Sequence, residues 1–397
     1  MREIDGKEEE SRNALLVGIR DEKMSLAATD SLAKELSGLV DTLGVKAASR
    51  EIVHVRGNQP KYGIGTGKAE ELAGKAASLE VDCIIFDKDL NPSQQRNWEE
   101  LTGIPAIDRQ ELIIQIFASR AQTREAVLQI RLAELVYTLP RLRHKYIDLA
   151  RQRGGRYGTR GAGETRLETD RRRVEQRIHK LKEELEKLKA QRSLQRRQRV
   201  RSSLPVCALV GYTNAGKSSI LNALTGAGVL TEDRLFATLD STSRRLELPG
   251  GMLVLLVDTV GFIRRLPHGL INAFRSTLEE VSCADLLINI LDASEPDIDA
   301  QYDTTLSVLG ELNAGEIPTV TVINKIDKIA DAQPVKALLK QYPGSLPVSA
   351  INGKGLTELC LHIERTLQQR RKLHLNLKES PPVVDHHSQA KGVLVND

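Results

Sequence analysis

The eight residues Gly211–Ser218, G-Y-T-N-A-G-K-S, constrain this chain more than any other stretch, because they match the phosphate-cradling pattern G-x-x-x-x-G-K-[ST] in full. The two fixed glycines, Gly211 and Gly216, let backbone N–H groups turn inward onto a polyphosphate. Lys217 is placed to reach β- and γ-phosphates, and the Ser218 hydroxyl to enter a Mg2+ ligand shell. The flanks agree with this. Pro205–Val210, P-V-C-A-L-V, is a short apolar run of the kind that makes a buried parallel strand. Ser219–Leu224 has helical spacing, so the phosphates are expected at a helix N-terminus.

The 397 residues suffice for two or three domains and a sizeable core. Net charge is only +4, but between Arg141 and Arg201 stand 21 Lys and Arg against 8 Asp and Glu. One basic element on an otherwise mildly acidic chain points to a polyanionic partner. Cys83, Cys207, Cys283 and Cys360 are isolated, without C-x-x-C spacing, and three lie in apolar runs. That favours buried thiols in a reducing cytoplasm over disulfides or zinc. The charged N-terminus has no apolar signal core, and no apolar run is long enough to span a membrane.

Read in order, residues 1–122 alternate strand and helix signals: Ala14–Ile19, Glu51–Val55, Val81–Asp87 and Ile104–Ile107 as strands of a largely parallel sheet, with helices between. Asn91 and Pro92 read as N-cap and first residue of one helix. The glycine-rich Gly63–Lys68 lacks the spacing of a nucleotide loop and reads as a strand-to-helix turn. Residues 123–201 change character. Apolar residues from Leu132 to Leu149 recur at helical steps, with a kink or break expected at Pro140. Val174, Ile178, Leu181, Leu185 and Leu188 alternate four and three apart like a coiled-coil seam. Between the two patterns lies Arg153–Arg166, holding five glycines between Gly154 and Gly163. An antiparallel helical hairpin with a basic glycine loop at its tip follows, suited to close approach to RNA. Arg153, Arg156, Arg160 and Arg166 are its candidate RNA contacts.

Residues 202–370 return to strand–helix alternation around the phosphate loop, and 371–397 form a short tail in which His386 and His387 read as a solvated pair. Met252–Val257 is a strand ending in D-T-V-G, where Asp258 can hold Mg2+ through water and the Gly261 N–H can meet a γ-phosphate. Thr319–Asp327 ends in N-K-I-D. The Asp327 carboxylate can accept from guanine N1 and its exocyclic amine, a donor pair adenine lacks. Asn324 is expected to brace the loop and touch the base edge, and the Lys325 stem to cover the ring. Pro347–Ala350 would offer an N–H to guanine O6. A switch threonine between the loop and the Mg2+ strand should bind the metal only with the γ-phosphate present; Thr238 is the first choice and Thr242 the second.

These stretches together resemble the HflX family of translation-associated GTPases. In the GTPase part the resemblance rests on G-Y-T-N-A-G-K-S, F-A-T-L-D (Phe236–Asp240), D-T-V-G-F and N-K-I-D. Upstream it rests on P-S-Q-Q-R-N (Pro92–Asn97), Y-T-L-P-R-L (Tyr137–Leu142) and G-T-R-G-A-G-E-T-R-L-E-T-D-R-R (Gly158–Arg172), words that GTPases at large do not share. It implies a GTP hydrolase that binds the large ribosomal subunit with its hairpin loop near the peptidyl-transferase centre, splitting or rescuing stalled ribosomes under stress. Its Mg2+ ligands fall on Ser218 and Thr238. Ala162 stands where the family prefers proline, and the tail is shorter than in longer members.

The expectation is therefore an α/β protein, a monomer without a membrane span. A P-loop GTPase domain with a mostly parallel sheet follows a small α/β domain and a helical hairpin. Its GTP contacts would be Gly211, Tyr212, Thr213, Asn214, Ala215, Gly216, Lys217 and Ser218. Phe236, Ala237, Thr238, Leu239 and Asp240 would join from the switch, with Asp258, Thr259, Val260 and Gly261. Asn324, Lys325, Ile326, Asp327, Ser349, Ala350 and Ile351 would hold the base. Catalysis would rest on Lys217, Thr238, Gly261 and Asn214. Phe262 stands where a Ras-like GTPase has its water-orienting glutamine, so other charge is needed. Asn214 either supplies a ligand to a K+ beside the phosphates or makes only a turn hydrogen bond. Two other readings are an RNA-binding or ribosome-assembly module with GTP as an occupancy switch, and an RNA-remodelling ATPase, which N-K-I-D opposes.

Overall fold

The computed structural model of the protein describes residues 12–22, 24–57, 59–152, 160–200, 204–226, 228, 234–239, 241–265 and 280–379. The first elements are β1 (Asn13–Arg20), α1 (Leu26–Thr42), β2 (Lys46–His54), α2 (Thr66–Ser78), β3 (Cys83–Phe86), α3 (Pro92–Thr102), β4 (Ala106–Ile107) and α4 (Arg109–Arg120). They build a parallel sheet of order β2-β1-β3-β4. Residues 14–19 of β1 are all buried, as a strand covered on both faces must be. The chain turns from β1 outward to β2, then crosses back to β3, so the carboxyl ends of β1 and β3 open a crevice of the kind that holds ligands in such sheets. Helix starts follow local chemistry: Asn91 and Gln94 form a reciprocal capping box ahead of Pro92, and Asp108 caps α4 by accepting the Glu111 N–H at 2.8 Å.

Helices α5 (Arg124–Gln152) and α6 (Arg160–Val200) pack along each other. On α6, the expected seam of Val174, Ile178, Leu181, Leu185 and Leu188 is covered, while the basic and acidic residues around it face solvent. Two expectations are corrected here. Pro140 does not break its helix, which runs unbroken from Arg124 to Gln152. The next residue explains why the proline is tolerated. The Arg141 guanidinium lies 3.4 Å over the Tyr137 ring. It donates to the Tyr137 carbonyl (2.9 Å), the Leu90 carbonyl (2.8 Å), Gln95 Oε1 (2.7 Å) and Asp108 (3.1 Å). This tertiary anchor holds the turn that the missing proline N–H would otherwise weaken. The second correction concerns the glycine loop: α6 already starts at Arg160, so the backbones of Arg160 and Arg166 are helical. Arg153 and Arg156 lie outside the described residues.

The remaining elements are β5 (Val206–Gly211), α7 (Lys217–Thr225), β6 (Thr242–Glu247), β7 (Leu253–Asp258), β8 (Leu286–Asp292), α8 (Ile298–Glu311), β9 (Thr319–Asn324), α9 (Ala332–Gln341), β10 (Leu346–Pro347) and α10 (Leu356–Glu379). Their sheet has the order β10-β9-β8-β5-β7-β6, parallel except for β6, which runs antiparallel to β7. One apolar core is continuous from Leu16 and Phe117 of the first part to Val210, Phe236, Phe262 and Val308 of the second. Cys83, Cys207 and Cys360 are buried free thiols and Cys283 is exposed. Among the described residues, no helix is long and apolar enough to cross a membrane.

Candidate functional site

The phosphate loop leaves the central strand β5 and closes on the first turn of α7. Gly211 has φ 139°, and a side chain there would overlap the Ile290 carbonyl oxygen of the neighbouring strand. Gly216 has φ 95°, and a Cβ on it would strike the Asn324 amide. Asn214 takes a left-handed φ of 62°, which asparagine adopts more readily than most residues. These three conformations turn the loop around an open cleft. Thr213, Asn214, Gly216, Lys217, Ser218 and Ser219 line it from below, Arg234 and Phe236–Thr238 from the switch, and Gly261 from the far side.

Lys217 is buried and donates to the carbonyls of Gly211 (3.2 Å) and Tyr212 (2.7 Å). Burial pulls its ammonium down to about 8, against the attraction of Asp258. Asp258 ends β7 and is buried in turn. Desolvation raises its carboxyl, opposed first by Lys217 and then by hydrogen bonds from Ser218 and Thr238. Ser218 Oγ lies 2.5 Å from Asp258 Oδ2 and 2.7 Å from Thr238 Oγ1, which is itself 3.2 Å from that carboxylate oxygen. Asp258 Oδ1 is buried without a hydrogen-bond partner. Two hydroxyls and a carboxylate, all oxygen donors, with one carboxylate oxygen unspent, suit Mg2+. Among the described residues no group of three His, Cys, Asp and Glu side chains offers another metal site.

The two candidate threonines are placed differently: Thr242 is the first residue of β6 and lies opposite Asp258 in the ladder. Thr238 instead reaches Ser218. Gly261 is enclosed, since a Cβ there would lie 2.7 Å from Thr213 Cα and 2.9 Å from Lys217 Nζ. Thr259 donates to the Leu209 carbonyl at 2.6 Å, so its hydroxyl braces the sheet. Val260 and Leu239 are core residues, and Asp240 lies outside the described residues.

The base-side residues meet at the ends of β9 and β10. Asn324 donates to the Ala215 carbonyl (2.9 Å) and accepts from the Ala350 N–H (3.2 Å). Its amide thus ties the two loops together at both ends, which is the bracing role expected of it. Lys325 reaches the Asn214 carbonyl (2.6 Å) and Asp292 (2.6 Å). Asp327 accepts from Ser349 Oγ at 2.5 Å. Ile326 is half-buried and Ile351 is exposed. Arg244 and Arg245 lie exposed on β6. Arg234, which the sequence did not single out, lines the cleft instead.

A phosphate loop at the end of a central parallel strand, an acidic strand end facing it and a separate base-reading corner define a P-loop GTPase. The family models and the sequence relatives agree. Family models described as "GTP-binding GTPase N-terminal", "GTP-binding GTPase Middle Region" and "50S ribosome-binding GTPase" match residues 30–118, 120–199 and 206–325. A GTPase HflX of Akkermansia muciniphila is 41% identical over 98% of this chain and 93% of its own. The GTPase HflX of Caldanaerobacter subterraneus is 41% identical over 97% of this chain and 90% of its own. A Sulfolobus solfataricus GTP-binding protein solved with GDP aligns at 25% identity over 90% of this chain and 99% of its own, TM-score 0.46. The chain belongs to the HflX family of GTPases, and it hydrolyses GTP.

Proposed function

We propose that this GTPase binds the large ribosomal subunit in the cytoplasm and uses GTP binding and hydrolysis to split or rescue stalled ribosomes, or to regulate translation under stress. The observation that carries the proposal is a GTPase site joined in one chain to a basic helical hairpin, in a region order shared with the relatives above. The description of the matched GTPase-domain family, ribosome binding, supports the same reading. The hairpin is the RNA-facing element: its excess of Arg and Lys neutralises phosphate charge.

In the GTP-bound protein, Lys217 would exchange the Gly211 and Tyr212 carbonyls for phosphate oxygens, and the anion would restore its full charge. Mg2+, held by Ser218 and Thr238 and through water by Asp258, would neutralise charge on the β- and γ-phosphates. Gly261 would present its N–H to the γ-phosphate. Phe262 is buried and cannot hydrogen-bond water, so hydrolysis is slow until the subunit orders Thr238. A K+ held by Asn214 would add charge where phosphate negative charge develops. The protein acts as a monomer.

Neutralising Arg153, Arg156, Arg160 and Arg166 tests the hairpin's part. Binding to purified large subunits in a salt series should weaken, with a flatter salt slope, while GTP affinity stays unchanged. Unchanged sedimentation at every salt concentration would contradict it.

A further inference from the structure

The parallel sheet of the first domain opens its crevice at the carboxyl ends of β1 and β3, and the GTPase domain fills it. Arg265 enters there, donating to the Asp87 carbonyl (3.0 Å) and its carboxylate (3.1 Å) just beyond β3. Arg109, the first residue of α4, is almost wholly buried. It donates to Asp87 Oδ1 (2.6 Å), to Glu35 of α1, and to the Arg264 carbonyl (2.9 Å). Glu35 is the centre of the cluster. One carboxylate oxygen accepts from Arg109. The other accepts from the Tyr212 hydroxyl and from Arg264 Nε (3.3 Å). Arg264 also donates to Ser31 (2.6 Å) and pairs with Asp297 (3.3 Å), and its backbone N–H donates to the Tyr212 hydroxyl at 2.9 Å.

Tyr212 and Arg264 are not arbitrary neighbours. Tyr212 is the second residue of the phosphate loop, and its carbonyl holds Lys217. Arg264 lies three residues beyond Gly261. Between them the backbones are zipped: Thr213 N–H donates to the Phe262 carbonyl (2.7 Å), and Phe262 N–H to the Gly211 carbonyl (3.1 Å). Glu35 thus clamps, from another domain, the two segments that must face the γ-phosphate together. Three carboxylates and three guanidiniums balance in the cluster, so no charge is buried unpaired, and each holds the others in one arrangement. A chain whose Phe262 cannot order the attacking water needs such preorganisation from elsewhere.

We infer that Glu35 is a positioning residue for GTP hydrolysis, acting through the Tyr212 hydroxyl and Arg264 to hold the phosphate loop and the D-T-V-G segment in register. Its carboxylate contacts are the Arg109 and Arg264 guanidiniums and the Tyr212 hydroxyl, so it acts through them. The inference concerns hydrolysis by this chain and does not depend on ribosome binding.

Single-turnover GTP hydrolysis and nucleotide affinity of Glu35→Gln, Arg264→Gln, Tyr212→Phe and the Glu35→Gln/Arg264→Gln double variant test it. Glu35→Gln should lose about tenfold in kcat with KM for GTP and affinity for GDP within about twofold, because the clamp acts on the reacting arrangement and not on binding. The double variant should be no slower than the poorer single, since both break one unit. Tyr212→Phe deletes one hydroxyl and keeps the fold, so it carries the test if a charge variant fails to fold: its kcat should also fall with GDP affinity kept. A kcat unchanged or raised in Tyr212→Phe, a loss appearing only in KM, or additive losses in the double variant would overturn the inference.

Discussion

Phe117, from α4 of the first domain, and Phe236, from the switch beside the phosphate loop, meet edge to face with ring centroids 4.6 Å apart and planes 76° from parallel. Both are buried in the core that runs through the two domains. The switch therefore rests on the first domain only two residues from Thr238. Phe236 holds this place at φ 57°, a left-handed conformation costly for a bulky side chain. Its packing must exceed that strain, of order 1–3 kcal/mol.

Phe117→Ala should accordingly destabilise the protein by about 3–5 kcal/mol and lower hydrolysis by freeing Thr238. At Phe236, glycine relieves the backbone and alanine does not. Phe236→Gly should therefore be about 1 kcal/mol more stable than Phe236→Ala. Denaturant unfolding of the three variants checks both statements; an alanine variant as stable as the glycine one would contradict the strain.

In the proposed base pocket, the choice of guanine would rest on the Asp327 carboxylate. Asp327→Asn exchanges an acceptor of the guanine amine for an amide and should shift preference from guanosine to xanthosine triphosphate. A competition assay reads this directly, and a retained GTP preference would refute the pocket assignment.

The K+ reading of Asn214 has its own outcome. Hydrolysis by the unaltered protein on large subunits should be faster in K+ than in Na+, and Asn214→Ala should abolish the difference while retaining GTP binding. Equal rates in the two salts would remove the cation from the mechanism, leaving Asn214 as a turn residue held at its left-handed φ.

Asp108 links the α4 cap to the α5 anchor, accepting from Glu111 and Leu90 N–H groups and from Arg141. Burial, outweighing those bonds, lifts its carboxyl from 3.8 to about 6. The folded protein thus binds this proton more tightly than the unfolded chain. The stabilisation is fully present below the unfolded value and is lost as pH rises through about 6. Asp108→Asn keeps the cap and removes the titration. Between pH 4 and 7 the stability difference should move in the variant's favour, by up to about 3 kcal/mol. Thermal midpoints across that range measure it; parallel curves would contradict the shifted carboxyl.

What was legible in the chain was what short spacing encodes. Gly211–Ser218, Asp258–Gly261 and Asn324–Asp327 each sit at a strand end, and local pattern alone places them there. The seam of α6 was readable for the same reason, since a helix repeats every few residues. The passage through Pro140 was not, because its support comes from Gln95, Leu90 and Asp108, all distant in sequence. Pairing of β6 with β7 was hidden by the polar T-S-R-R start of an edge strand. The Glu35 cluster left no trace at all: Glu35 and Tyr212 are 177 residues apart, and nothing in a lone glutamate on a helix names its partner.

Cosedimentation with purified large ribosomal subunits tests most directly the proposal that this GTPase binds that subunit and does so under control of its nucleotide. The full chain should pellet with the subunit in the presence of a non-hydrolysable GTP analogue and stay in the supernatant with GDP. Thr238→Ala should weaken the first result without altering affinity for GDP. Equal pelleting with both nucleotides, or none with either, would contradict the account.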